Sequence, residues 1–107
     1  MAIPHAAPGQ IIDVRSSASS DADEITQTLI KTPHLEVIQL MLPAGEEIAE
    51  HKVDGAITVQ CLAGCVEFTA RGQTQELHAG QMLYLQGADP HALKSVDNSS
   101  VLVTILL

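Results

Sequence analysis

Two histidines, His51 and His91, have the residue type and the surroundings that could support chemistry in this sequence. An imidazole titrates near neutral pH, so it can act as a general base, exchange hydrogen bonds with a ligand, or bind a transition metal. Each follows a glycine at a defined distance, His51 after Gly45 and His91 after Gly80. The remaining histidines stand in no comparable pattern: His5, His34 and His78.

The elements that must position these histidines are short β-strands. Apolar and β-branched runs are separated by Gly, Pro, Asn and Asp about every eight to ten residues, and helical periodicity is essentially absent. The pattern predicts strands over residues 10–15, 26–32, 35–42, 46–53, 57–62, 65–70, 73–78, 81–85, 91–96 and 101–107. This rhythm is typical of an all-β protein, and closure into a barrel or jelly roll is favoured because open sheet edges invite aggregation.

Composition and charge exclude several classes of partner. The formal net charge is −8, and the five Lys and Arg residues are scattered. We therefore expect no nucleic-acid partner, because phosphate binding requires clustered basic side chains. No apolar run approaches the roughly 20 residues of a transmembrane helix, and the first residues lack the pattern of a signal peptide. The expectation is a cytoplasmic protein with no membrane partner.

The length and the cysteines set two further limits. A chain of 107 residues has room for one core, and only Phe68 and Tyr84 are aromatic, so aliphatic side chains must fill that core. Cys61 and Cys65 are spaced neither as a zinc knuckle nor as a redox pair, so we expect buried or half-buried thiols.

The two histidine blocks resemble the two conserved motifs of the cupin superfamily, which are small RmlC-like barrels built as a double-stranded β-helix. The first block matches at Gly45, His51 and Gly64, and the second matches at Gly80 and His91. The resemblance covers residues 35–107 and implies a cupin jelly-roll barrel there, with residues 1–34 as an N-terminal tail and strands. It also implies a homodimer in which the strand at residues 10–15 is added to the neighbour's sheet.

Departures from the family pattern fall on the residues that would bind a metal. Metal-binding cupins resembling this chain use two histidines and a glutamate from the first block and one histidine from the second. Here Val53 occupies the second histidine position and Ile57 the glutamate position, so only His51 and His91 carry over as metal ligands. In the second block, the family's proline, glycine and asparagine are replaced by Gln86, Ala88 and Ser95.

Two imidazoles make an incomplete metal site. Catalytic zinc usually keeps three protein ligands, and non-haem iron oxygenases use two histidines and a carboxylate. A third ligand would have to come from Cys61, Glu76 or His78, if the barrel placed one of them inward. A divalent transition metal is therefore a cofactor that the sequence allows but does not favour.

Three interpretations of function follow. The favoured one is a protein that binds a small molecule in the barrel interior, with His51 and His91 as polar contacts. The alternatives are a metal-dependent cupin enzyme, resembling a dioxygenase or an isomerase, and a structural barrel filled by its own side chains. The expected pocket walls are Val53, Ile57, Val59, Cys61, Met82 and Tyr84.

Overall fold

The computed structural model describes residues 5–14 and 25–107, and the second range forms nine strands. Nine of the predicted segments are confirmed to within two residues at either end. No helix in the described ranges is long and apolar enough to cross a membrane. The strands are β1 (Ile25–Lys31), β2 (Leu35–Leu42), β3 (Glu47–His51), β4 (Ile57–Ala63), β5 (Cys65–Ala70), β6 (Gln73–His78), β7 (Met82–Leu85), β8 (His91–Ser95) and β9 (Ser99–Leu106).

The strands form two antiparallel sheets. The first has the order β1-β2-β9-β4-β7 and the second the order β3-β8-β5-β6. The chain passes from one sheet to the other after β2, β3, β4, β6, β7 and β8, so neighbouring strands in a sheet, apart from β1–β2 and β5–β6, are not consecutive in the sequence. This is the connectivity of a jelly-roll barrel, and it confirms the predicted all-β fold class.

Alternation along β4 explains how the core forms between the sheets. Ile57, Val59 and Cys61 are buried, while the residues between them are only partly buried. They share one face, as the sequence predicts, because successive side chains of a strand point to opposite sides. The second sheet contributes Val66 and Phe68 to the same apolar cluster, and both are fully buried.

Within the single chain, residues 10–14 of the segment predicted as a strand over residues 10–15 form no strand, and Arg15 lies outside the described residues. The backbone turns back locally, because the Gln10 N–H donates to the Ala7 carbonyl oxygen at 3.0 Å. The segment still contacts the barrel: the Ala6 N–H donates to the Leu29 carbonyl oxygen of β1 at 2.9 Å. The homodimer with an exchanged strand stays a prediction.

In two loops, another part of the backbone lies so close to one residue that only glycine fits there. A Cβ added at Gly55, between β3 and β4, would lie far inside van der Waals contact with the Leu106 carbonyl oxygen. A Cβ at Gly87, between β7 and β8, would collide in the same way with the Asp54 carbonyl oxygen. These contacts join the loop of residues 52–56 to the loop of residues 86–90 and to the end of β9.

We expect Gly55→Ala to lower the free energy of unfolding by about 3 kcal/mol, because backbone must move to admit the methyl group. Gly72→Ala is the matched control: Gly72 has φ +76° and no atom within 4 Å of an added Cβ. Its cost is the left-handed conformation alone, about 1 kcal/mol. Urea denaturation of both variants measures the difference, and an equal or smaller loss in Gly55→Ala would contradict the close-approach argument.

Candidate functional site

A cavity of about 270 Å³ lies between the two sheets. Its polar lining residues are Thr26, His51 and His91, and the rest of the wall is aliphatic except for Phe68. Thr26 and His51 are exposed, so the cavity opens to solvent beside them. The aliphatic wall consists of Ile38, Leu40, Ile48, Ile57, Val59, Leu93, Val103 and Ile105.

The two histidines meet because β3 and β8 pair antiparallel, with His51 at the end of β3 opposite His91 at the start of β8. The register is irregular between Ile48 and His51. Strict alternation would send residues three apart to opposite faces, yet both Ile48 and His51 line the cavity. A β-bulge redirects side chains in this way, so the irregularity is what brings His51 inside.

The rings of His51 and His91 are in edge-to-face contact, with centroids 4.3 Å apart and planes at 63°. Phe68 stacks on the other side of His91, with centroids 5.8 Å apart and planes at 11°. His91 is 7% exposed and so has little freedom to rotate, whereas His51 stands at the cavity mouth.

A hydrogen bond to a backbone carbonyl oxygen orients each of the two histidine rings. His51 Nδ1 is 3.0 Å from the Ala49 carbonyl oxygen, and His91 Nδ1 is 3.0 Å from the Asp89 carbonyl oxygen. A carbonyl oxygen can only accept, so Nδ1 carries the proton and donates in each ring. In the neutral form of each ring, Nε2 keeps its lone pair and can accept a hydrogen bond.

The loop before His91 is pinned at several points. The Ala88 N–H donates to the Val53 carbonyl oxygen at 2.7 Å, and Asp89 forms an ion pair with Arg71 at 3.2 Å. Ala88 has φ +68°, a left-handed conformation that disfavours a side chain. It occupies the position at which the cupin motif has glycine, so the backbone keeps the conformation that the motif requires although the residue has changed.

Four of the residues expected at the site come together in the cavity wall: His51, Ile57, Val59 and His91. Ile57 and Val59 do so because they are consecutive inward positions of β4. Val53 does not line the cavity; it lies in the loop after β3, partly buried against the core.

Met82 and Tyr84 are not cavity walls, contrary to the sequence-based expectation. They are the outward positions of β7, 56% and 69% exposed, whereas Leu85 is buried. Residues 82–85 alternate correctly for a strand, but the sequence analysis assigned the two faces the wrong way round. The leucines of β7 face the core, and the larger side chains face outward.

Cys61 is an inward residue that lies beyond the cavity wall. Its thiol is fully buried and donates to the Ala63 carbonyl oxygen at 3.3 Å. Burial raises the pKa of the Cys61 thiol, and the hydrogen bond to Ala63 opposes that rise only in part. Cys61 is therefore a neutral thiol of the core and not a pocket residue.

In the described part of the chain, no third metal-ligating side chain joins the two histidines. Glu76 and His78, two of the expected candidates, lie on β6 at exposed positions away from the cavity. Within residues 5–14 and 25–107, no cluster of three metal-ligating side chains includes His51 and His91. The residues present supply two imidazole nitrogens and otherwise an apolar wall, which does not fit a catalytic zinc or iron centre.

Sequence analysis missed most of the apolar wall. Ile38 and Leu40 lie on the same face of β2 as buried Leu42, and Val103 and Ile105 lie on the same face of β9 as buried Val101. The period of two was readable in both strands. The continuous apolar run of β9 hid which face is inner, and only its register against Ile57 and Val59 of β4 decides the matter.

Comparison with known proteins shows which fold this site belongs to. No family model matches the sequence, and no curated protein matches it either. A conserved protein of unknown function from Streptococcus pyogenes is 22% identical, with a TM-score of 0.79, over 99% of this chain and 94% of its own. A cupin superfamily protein from Desulfitobacterium hafniense is 17% identical, with a TM-score of 0.78, over 86% and 84% of the two chains.

A third solved structure has the name of an enzyme. It is a putative mannose-6-phosphate isomerase from Ralstonia eutropha, 15% identical, with a TM-score of 0.77, over 91% of this chain and 97% of its own. Likeness at these identities concerns the fold. The chain has the cupin fold that the sequence pattern predicts.

We expect Ala88→Gly to raise the free energy of unfolding by about 0.5–1 kcal/mol. Glycine removes the side-chain cost of the left-handed conformation, and its greater unfolded-state entropy offsets part of the gain. Ala49→Gly is the control, since Ala49 is exposed in β3 and its φ is not positive. That change should destabilise by about 0.5–1 kcal/mol. Urea denaturation decides, and a loss of stability in Ala88→Gly would contradict the strain argument.

Proposed function

We propose that this protein binds a compact organic molecule in the cavity between its sheets, with His51 and His91 accepting hydrogen bonds from it. The observation that carries the proposal is the pair of His51 and His91 in a mostly apolar cavity wall, each ring oriented by a hydrogen bond from Nδ1 to a backbone carbonyl oxygen. Mostly apolar pockets with a few placed polar groups are the usual form of a small-molecule site. A barrel filled by its own side chains would leave no such cavity.

The cavity volume limits the size of the ligand. A protein cavity of about 150 Å³ accommodates benzene. By proportion, about 270 Å³ holds a molecule of roughly ten non-hydrogen atoms. The ligand enters beside Thr26 and His51, where the wall reaches solvent.

The lining also limits the chemistry of the ligand. Two acceptors side by side suit a molecule with hydroxyl or N–H donors at one end and an apolar body at the other. Among residues 5–14 and 25–107, no Lys or Arg lines the cavity, and the net charge of −8 repels anions. A phosphorylated sugar is therefore a poor candidate, although a neighbour in fold has the name of a sugar-phosphate isomerase.

A metal-dependent enzyme, resembling a dioxygenase or an isomerase, is the second candidate. The favouring observation is that each ring donates Nδ1–H to a backbone carbonyl, as metal-bound histidines commonly do. The ligand set opposes it, because the described residues offer only two nitrogens where such centres use three protein ligands. Binding an organic ligand through hydrogen bonds to His51 and His91 requires no third ligand residue.

We expect a thermal-shift screen of compact, neutral, hydroxylated molecules to yield binders that His51→Ala weakens about three- to tenfold. That range corresponds to the loss of one hydrogen bond. Thr26→Trp should abolish binding by closing the mouth without touching the core. His34→Ala, an exposed histidine outside the wall, is the control and should leave affinity unchanged. Calorimetric titration measures all three, and hits that bind equally to every variant would place binding elsewhere.

Metal analysis separates the two candidate functions. We expect protein purified without a histidine tag to have the same metal content as its His51→Ala variant by elemental mass spectrometry. Ligand binding should also survive a chelator. Near one equivalent of a single transition metal that is lost in His51→Ala would replace the proposal with the metal-dependent enzyme.

A further inference from the structure

Three metal-ligating side chains meet on the outer face of the second sheet, away from the cavity. Cys65 stands directly opposite His78 in the β5–β6 pair, and Glu76 lies two residues before His78 on the same face of β6. The sulfur, one carboxylate oxygen and one ring nitrogen all lie within 4.8 Å of one another. The carboxylate of Glu76 is already 3.3 Å from His78 Nε2.

One separation in the cluster already matches the spacing that a tetrahedral ion imposes. Zinc bonds of about 2.0–2.3 Å place neighbouring ligand atoms about 3.3–3.8 Å apart. Glu76 and His78 meet that spacing, and both side chains are exposed, so small rotations can bring them toward the sulfur.

Hydrogen bonds hold the backbone of Cys65 in place. The Cys65 N–H donates to the Ser99 hydroxyl oxygen at 3.1 Å, and the Cys65 carbonyl oxygen accepts from the Val96 N–H at 2.9 Å. The backbone N–H of His78 donates to the Gln81 side-chain oxygen at 2.9 Å. Ligands from two paired strands are thus held before any ion arrives, which reduces the ordering cost of binding.

The electrostatic environment favours a cation at this place. Burial, and then the negative charges of Glu76, Asp97 and Glu67, raise the pKa of the Cys65 thiol. The same charges attract a divalent ion, which in turn favours the thiolate.

We propose that Cys65, Glu76 and His78 form a binding site for Zn²⁺ or a similar transition ion, with water completing the coordination. Thiolate, imidazole and carboxylate are the ligands that zinc uses in proteins. Binding replaces the thiol proton, which passes to solvent, and involves no change of oxidation state. Because the site links β5 to β6 only in the folded chain, the ion also stabilises the barrel.

Cobalt(II) titration of the reduced full-length chain tests the site, because Co²⁺ replaces Zn²⁺ and a thiolate ligand gives an intense near-ultraviolet charge-transfer band. We expect the wild type to show the band at one equivalent and Zn²⁺ to abolish it. Cys65→Ala should lose it, whereas Cys61→Ala, which changes the other buried cysteine, should keep it. His78→Ala and Glu76→Gln, both at exposed positions where folding is not at risk, should each weaken Co²⁺ binding at least about tenfold.

Two controls keep this site distinct from the cavity. His34→Ala should bind Co²⁺ as the wild type does, and so should His51→Ala, whose defect is confined to organic ligands. Absence of the band in the wild type, its persistence in Cys65→Ala, or unchanged affinity in both His78→Ala and Glu76→Gln would overturn the proposal. None of these results bears on ligand binding between the sheets.

Discussion

Closure of the barrel at the end that holds the histidines depends on two places where the backbone has no room for a Cβ atom. Gly55 abuts the end of β9, and Gly87 abuts the loop that contains Gly55. The two loops also share a hydrogen bond, from the Ala88 N–H to the Val53 carbonyl oxygen. Since His51 precedes the first loop and His91 follows the second, this contact holds together the two strand ends that carry the histidines of the candidate site.

The same construction gives the site its chemical character. Each histidine uses Nδ1 to hold a carbonyl oxygen two residues earlier in the chain, so the backbone near the loops selects the tautomer. The ring atoms left over are acceptors, and the wall around them is apolar. A site built in this way suits the proposed ligand, a hydrogen-bond donor on a small apolar body, better than it suits an anion. The residues at the other ligand positions of the cupin motif, Val53 and Ile57, fit that character, because Ile57 contributes wall surface and Val53 packs on the core.

Nearly all of the barrel strands could be predicted from sequence because turn residues and strand periodicity are local signals. Residues 10–14 were the exception among the described residues. An apolar pair at Ile11 and Ile12 resembles a strand, but a strand requires a partner edge along its length. Here the Gln10 side chain and backbone close a turn on Ala7, and Ile11 is left exposed. Whether a strand finds a pairing partner depends on the tertiary structure, which the sequence of a short segment does not show.

The candidate site was only partly predictable, for a related reason. Alternation gives two faces to every strand without saying which face is inner, so one assignment succeeded for Ile57 and Val59 while the opposite choice failed for Met82 and Tyr84. The irregularity that turns His51 inward has no mark in the composition of β3.

The cluster of Cys65, Glu76 and His78 depends on the register of β5 against β6, in which Cys65 faces His78. The turn position alone fixes that register. A two-residue turn at Arg71 and Gly72 determines which residues of β5 and β6 lie opposite each other. The outer-face cluster was therefore the part of the chemistry that hairpin geometry could have predicted, whereas the cavity required the whole barrel.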